Sequence, residues 1–361
     1  VAAAVAATAW GLLRLAPVGW IDGAWAQGVL PVATGAARPV LAAVPGSLTG
    51  ATLGVGLAVL LVVAVRHRSA ARAVLLLAAV AVAGASFEAA WGVGYRRTPL
   101  EARLGLPPDA PTAADLARAR ERLIGIATEA APHDLAGVDV GAPWPEASWT
   151  AAARCVAAAD ALVAERRAPL ALADTVRRLP AGVLLSGGFA GFVGPWWREP
   201  HLDGGLPPAA ARATALHELA HAAGWAREAE TDALGVLAGL RCDAPELRFA
   251  AAVHALGLVE AESARVRASA ADGPDADLAE RPAALPEAVL RARTAAREAA
   301  TAYARPAVRR AAGATYDAYL RAQGVAAGLA DYDRASVLVA AALAACHRSA
   351  EALLCPPAFG P

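Results

Sequence analysis

The chain contains no lysine and no methionine: its 33 basic residues are all arginine, and they are balanced by 33 acidic ones. A formal net charge of zero leaves no case for the basic groove that a phosphate backbone requires, so no nucleic-acid partner is expected. The absence of lysine and methionine beside abundant alanine points to a GC-rich coding bias more than to a structural need. Cysteine is also scarce. Cys155, Cys242, Cys346 and Cys355 contain no CxxC pair, and their even number is compatible with disulfides and equally with four buried thiols.

Charge is missing locally as well. Leu48 to Val65 carries none, and Ala73 to Val93 carries only Glu88. Both runs approach the length a helix needs to cross a bilayer, and they read as two transmembrane helices. Val1 to Val18 is a third candidate, interrupted by Arg14 and Pro17. Its alternative is a signal peptide, because Ala24-Trp25-Ala26 before Gln27 resembles a small-residue cleavage site. The lack of a basic n-region and the presence of Asp22 favour the helix. The short loop from Arg66 to Arg72 is dense in arginine and makes the better cytoplasmic segment, which would leave everything after Val93 outside the cytoplasm.

Arg96 to Pro111 holds four prolines and reads as a linker, dividing a membrane region (1–95) from a second domain (112–361). Ala113–Ala131, Ser148–Arg167, Glu287–Tyr303 and Ala335–Leu354 have helical patterning. Gly182–Gly205, with its glycines, aromatics and alternation, suggests short strands joined by turns. Ser269–Pro286 reads as an exposed loop.

The chemistry lies in the stretch ALHELAHAAGWAREAETDALG, Ala215 to Gly235. Residues four apart on a helix share a face, so His217 and His221 can reach one tetrahedral zinc, with Glu218 beside the open position. Glu218 is then the general base that takes a proton from zinc-bound water and delivers it to the leaving amine. Pro207 and Pro208 suit the helix start, and Gly224 suits its end. A third ligand is needed. The spacing HExxHxxGxxH would require histidine at 227, where this chain has Arg227, which leaves Glu228 and Glu230. In one straight helix Glu228 would lie about 10 Å along the axis from His221, so the helix has to break at Gly224. Glu228 is favoured because Asp232, four residues on, can accept the other N–H of a ligating histidine. Glu230 is the alternative ligand, and otherwise a solvated surface charge.

The motif HELAHxxGWAREAETDALGVLAGL resembles the signature of a bacterial family of multi-pass membrane proteins with a domain of unknown function, 3810. WIDGAWAQGVLPV from Trp20, AWGVGYRRTPL from Ala90, GFAGFVGPWW from Gly188 and YDAYLRAQGVAAGLADYDR from Tyr316 occur in the corresponding order. The resemblance implies N-terminal membrane helices and a zinc-metallopeptidase-like domain, with Glu228 to Asp232 similar to the ExxAD element of membrane gluzincins. The chain departs from it at Asp232, where relatives often carry asparagine, and at Ala222, where they often carry a polar residue.

The expected fold is therefore mainly α: transmembrane helices, then a largely helical zincin-like α+β domain with a small sheet. The expected function is a membrane-anchored zinc metallopeptidase, with a peptide or protein substrate and a lipid environment. A non-catalytic sensor or scaffold is the alternative, and an intact Glu218 argues against it. His201 is a candidate for the substrate groove. His254, Tyr316, Tyr319 and Tyr332 are candidates to stabilise an oxyanion, with core packing as the simpler role. Glu88 is a functional-site candidate as an acid inside a span, though it lies near enough to the helix end to reach the interface. Trp196 and Trp197 read as strand packing.

Overall fold

The computed structural model describes residues 2–66, 69–106, 111–131, 146–270, 284–348 and 355. It is mainly helical. Helix α1 (Ala2–Arg14) is followed by α2 (Val18–Trp20), a wider π-helical segment (Ile21–Val29) and α3 (Leu30–Ala43). Helices α4 (Leu48–Arg66) and α5 (Ser69–Ala90) come next, then short α6 (Leu100–Arg103), α7 (Ala113–Glu129) and α8 (Glu146–Val163). Strands β1 (Arg177–Leu179), β2 (Gly191–Gly194) and β3 (Glu199–Asp203) precede α9 (Pro208–Ala222), α10 (Glu228–Leu240) and α11 (Pro245–Ala270). The chain continues through α12 (Glu287–Tyr303), α13 (Pro306–Ala322) and α14 (Arg334–Arg348). The helices expected near 113, 148, 287 and 335 are α7, α8, α12 and α14. The expected loop over 269–286 lies mostly outside the described residues.

Among the described residues two helices are long and apolar enough to cross a membrane, at 48–66 and 72–90, or three spans if the sharply bent pair 4–14 and 18–43 counts as one. Little of α4 is buried, and Leu53, Val55, Leu57 and Leu61 all face outward, as lipid contact would favour. The N-terminal segment is not separate from the rest. Trp25 and Leu30, placed by the sequence in the membrane region, share one core with Trp225, Leu219 and Leu237. The linker expected over 96–111 begins instead within folded structure: Gly92–Arg96 and Leu100–Arg103 are helical turns, and Tyr95, Arg97 and Leu100 are buried.

The sheet has the order β1-β3-β2, with β1 parallel and β2 antiparallel to the central strand. Asp203, at the end of β3, is fully buried and accepts backbone N–H groups from Gly182, Leu184 and Gly205, each at 2.8 Å. That carboxylate holds the irregular β1–β2 connection in place. At the other end, Glu199 caps the start of α4 by accepting from Thr49 N at 2.9 Å, and it pairs with Arg177 Nε at 2.8 Å. The acid thus satisfies helix N–H groups that have no partner within the helix.

The cysteines are paired, Cys155 with Cys242 and Cys346 with Cys355. The first bridge joins α8 to the end of α10 across 87 residues. Constraining a loop of that size restricts the unfolded chain, so Cys155→Ser is expected to cost roughly 2–5 kcal/mol. Thermal unfolding of the variant beside the oxidised and reduced wild type measures it; an unchanged Tm would mean that the bridge adds nothing to stability.

Candidate metal centre

Helix α9 begins where extended Pro207 hands over to Pro208, whose fixed φ suits a first turn. Its alanine-rich body carries His217 and His221 on one face. The helix stops at Gly224, which has φ +93°, with Gly224 N bonded to His221 O at 2.9 Å and Trp225 N to Ala220 O at 3.3 Å. This is a Schellman termination, which needs a left-handed residue at that position. A Cβ there would also stand 2.7 Å from Leu30 Cδ2. The chain reverses and α10 starts at Glu228, which places its carboxylate at the positive end of the new helix.

His217 Nε2 and His221 Nε2 converge on the same oxygen, Glu228 Oε2, at 3.1 and 3.3 Å. Their other nitrogens are engaged elsewhere. His217 Nδ1 faces Asp232 Oδ1 at 3.3 Å, and His221 Nδ1 faces the carbonyl of Trp225 at 2.6 Å. Both of those partners are acceptors, so each Nδ1 carries a proton and each Nε2 is the atom left to face the shared centre. Protons on Nε2 make these contacts hydrogen bonds to the carboxylate, and a metal ion would take the place of those protons. Among the described residues these three side chains form the group able to hold a metal ion, with all donor atoms within 4.8 Å of one another.

Glu218 is buried beside this group, and its Oε2 has no hydrogen-bond partner. Burial lifts its carboxyl to about 7, against the pull of the two histidines. Burial would raise Glu228 too, but His221 and His217 hold it well below the usual carboxylate range. Its other oxygen accepts a hydrogen bond from the Tyr316 hydroxyl.

The remaining candidates are distributed differently. Glu230 is turned away from the histidines, with Arg227 Nε 3.8 Å away, and it is buried rather than the solvated charge expected of the residue not chosen. Asp232 joins two imidazoles, since His254 Nε2 lies 2.8 Å from the same Oδ1 that faces His217. His254 therefore stands behind His217, away from the cleft. His201 is buried behind Phe192, on which it stacks at 4.4 Å, and it bonds Ser47 Oγ at 2.8 Å; it does not line a groove. Glu88 is fully buried and paired with Arg96 at 2.8 Å. Trp196 and Trp197 occupy the β2–β3 turn and donate to Ser86 and Thr52 on the two apolar helices, at 3.2 and 2.8 Å.

A cleft of ≈ 290 Å³ opens over the histidines and Glu218. Phe87, Trp91 and Tyr95 form one wall, Phe189, Phe192 and Val193 a second, and Tyr316, Tyr319 and Tyr332 a third. Reading from the motif outward did not find the first two walls. A signal was present for all of them but Phe87, because Trp91 and Tyr95 belong to the block AWGVGYRRTPL and Phe189, Phe192 and Val193 to GFAGFVGPWW. The motif also does not mark Arg198. It is buried at φ +52° and donates to the carbonyls of Ala90 at 2.5 Å and Ala222 at 3.3 Å, joining the end of α5 to the end of α9.

No curated protein and no solved structure matches the chain. A family profile matches residues 25–340, which is most of its length. The chain belongs to that family, described as "Protein of unknown function (DUF3810)".

Proposed function

We propose that the chain is a membrane-anchored zinc metallopeptidase of zincin-like, specifically gluzincin-like, build. The observation that carries this reading is the convergence of two imidazole Nε2 atoms and a carboxylate oxygen beside a buried glutamate with a free oxygen, all at the floor of one cleft. Two histidines and one glutamate are the donor set of an open catalytic zinc site, and His217, His221 and Glu228 would hold the ion. When bound, zinc polarises a carbonyl and makes water a nucleophile near neutral pH.

The protein's own groups do the rest. Glu218 takes a proton from the attacking water and returns it to the amine nitrogen as the peptide C–N bond breaks, and its unpartnered Oε2 leaves it available for both transfers. Asp232 fixes the tautomer and orientation of His217, and Trp225 O does the same for His221. Tyr316, Tyr319 and Tyr332 are the candidates on the cleft wall to serve a developing oxyanion; Tyr316 and Tyr332 also bond Glu228, and Tyr319 donates to the Tyr95 hydroxyl at 3.1 Å. A scaffold or sensor would have no use for a buried carboxylate with an unpartnered oxygen, because such a group costs stability.

Two disulfides favour an oxidising compartment, and Arg66 at the end of α4 and Arg72 near the start of α5 lie at the opposite end of those helices from the cleft residue Phe87. We place the domain outside the cytoplasm on a multi-pass anchor. The test is metal analysis of the purified full chain after zinc is added, followed by digestion of a peptide library. About one zinc per chain with hydrolysis is expected, and a chain that stays metal-free overturns the proposal. Asp232→Asn is expected to weaken zinc affinity by about 10 to 100-fold, since the amide orients His217 less firmly. Titration against a chelator measures it, and an unchanged affinity would remove Asp232 from this role.

A further inference from the structure

We infer that the cleft receives an extended apolar juxtamembrane segment of a membrane-protein substrate, entering from the bilayer side along the free edge of β2; this rests on the peptidase reading above. The placement of the walls carries the inference. Helices α4 and α5 clasp the β2–β3 turn, since Trp197 bonds Thr52 near the start of α4 and Trp196 bonds Ser86 near the end of α5. Indole rings with a polar tip favour the membrane–water boundary. Ser86 lies four residues inside the end of α5, about 6 Å along the axis. The next residue, Phe87, is therefore both inside a candidate span, 72–90, and part of the cleft wall. One wall of the cleft thus begins in the apolar layer.

Strand β2 runs from the other end of the cleft toward that boundary. It is the outer strand of the sheet. Asp203 N bonds Ala190 O at 2.9 Å, and in an antiparallel ladder the paired residues alternate, so Phe192 pairs inward while Gly191 and Val193 turn their N–H and C=O groups outward. That row is a template for an added strand. It passes close to the base, because a Cβ at Gly191 would stand 2.6 Å from Glu218 Oε1. A segment lying along β2 would therefore present its backbone to Glu218 and its side chains to aromatic walls. The cleft, ≈ 290 Å³, is at the small end of ligand pockets, which run about 300–1,000 Å³; it admits a few side chains of an extended chain and no folded domain.

The experiment uses the full chain carrying Glu218→Gln, with zinc, in vesicles of phosphatidylcholine and phosphatidylglycerol. Three biotinylated probes carry a benzophenone: a single-span peptide with a juxtamembrane stretch of leucine, phenylalanine and valine, the same span with a serine–glycine stretch, and the apolar stretch without a span. The tethered apolar probe is expected to crosslink at least about tenfold more than either control, since confinement to the bilayer raises effective concentration and the walls select apolar side chains. Its crosslinks should map to 87–95 and 189–195. Equal labelling by either control, or crosslinks mapping elsewhere, overturns the inference. The same probes offered to the unsubstituted chain separate the two readings. Preferential docking without any hydrolysis defeats the peptidase and leaves the docking site standing, whereas hydrolysis of soluble peptides without preferential docking does the reverse.

Discussion

Glu218→Gln is expected to keep the metal and lose peptide hydrolysis by roughly 10² to 10⁴-fold, the range a positioned general base contributes. The amide has the shape of the acid but cannot take up the proton of the attacking water. Metal retention follows from geometry. The convergent atoms belong to His217, His221 and Glu228, while Glu218 Oε2 touches no hydrogen-bonding partner. Folding should survive as well, because the substitution removes a carboxylate that burial has already pushed to about 7. Metal content, thermal unfolding and library digestion on one preparation decide the matter. Undiminished turnover would mean that another group is the base, and loss of metal with loss of turnover would make Glu218 a structural part of the site.

The parts of this site that were legible in the sequence are those fixed by local geometry. The spacing of His217 and His221 puts both rings on one face of any helix, and Gly224 marks a left-handed stop because other residues adopt that conformation poorly. The apolar runs of α4 and α5 are equally plain, since absence of charge is a property of the run itself. Other features depend on what the chain meets later. Glu230 looks like a surface acid in the pattern, yet residues 92–103 fold over the start of α10, and the acid is buried beside Arg227. Trp25 and Leu30 look like membrane residues because they are apolar, and an apolar residue serves a protein core as well as a bilayer. Strand β1 is three residues, Arg-Arg-Leu, too short to show alternation, and its identity comes from pairing with β3. Disulfide partners 87 residues apart leave no local trace.

The second large effect concerns the three donors. His221→Ala is expected to abolish zinc binding, because one imidazole and one carboxylate cannot close a site from which the other lone pair has been removed. Glu228→Gln should fall well beyond the roughly 10 to 100-fold loss that removing an outer partner causes, since Oε2 is the atom on which both histidines converge. Glu230→Gln should leave affinity near that of the unsubstituted chain. Its effect belongs to stability instead: burial lifts this carboxyl to about 7, so the folded state favours the protonated acid, and stability is lost as pH rises from the ordinary carboxylate range through 7. The glutamine variant lacks that loss. Gly224→Val separates geometry from ligation, because it touches no donor. A β-branched residue at φ +93° is strained by about 1–3 kcal/mol, and its Cβ would press on Leu30. The turn that carries Glu228 back to the histidines should open, and zinc affinity should fall with all three donors still present. Chelator titration of the four variants orders these effects. If Glu230→Gln proves as damaging as Glu228→Gln, the carboxylate that closes the site is not the one at the start of α10.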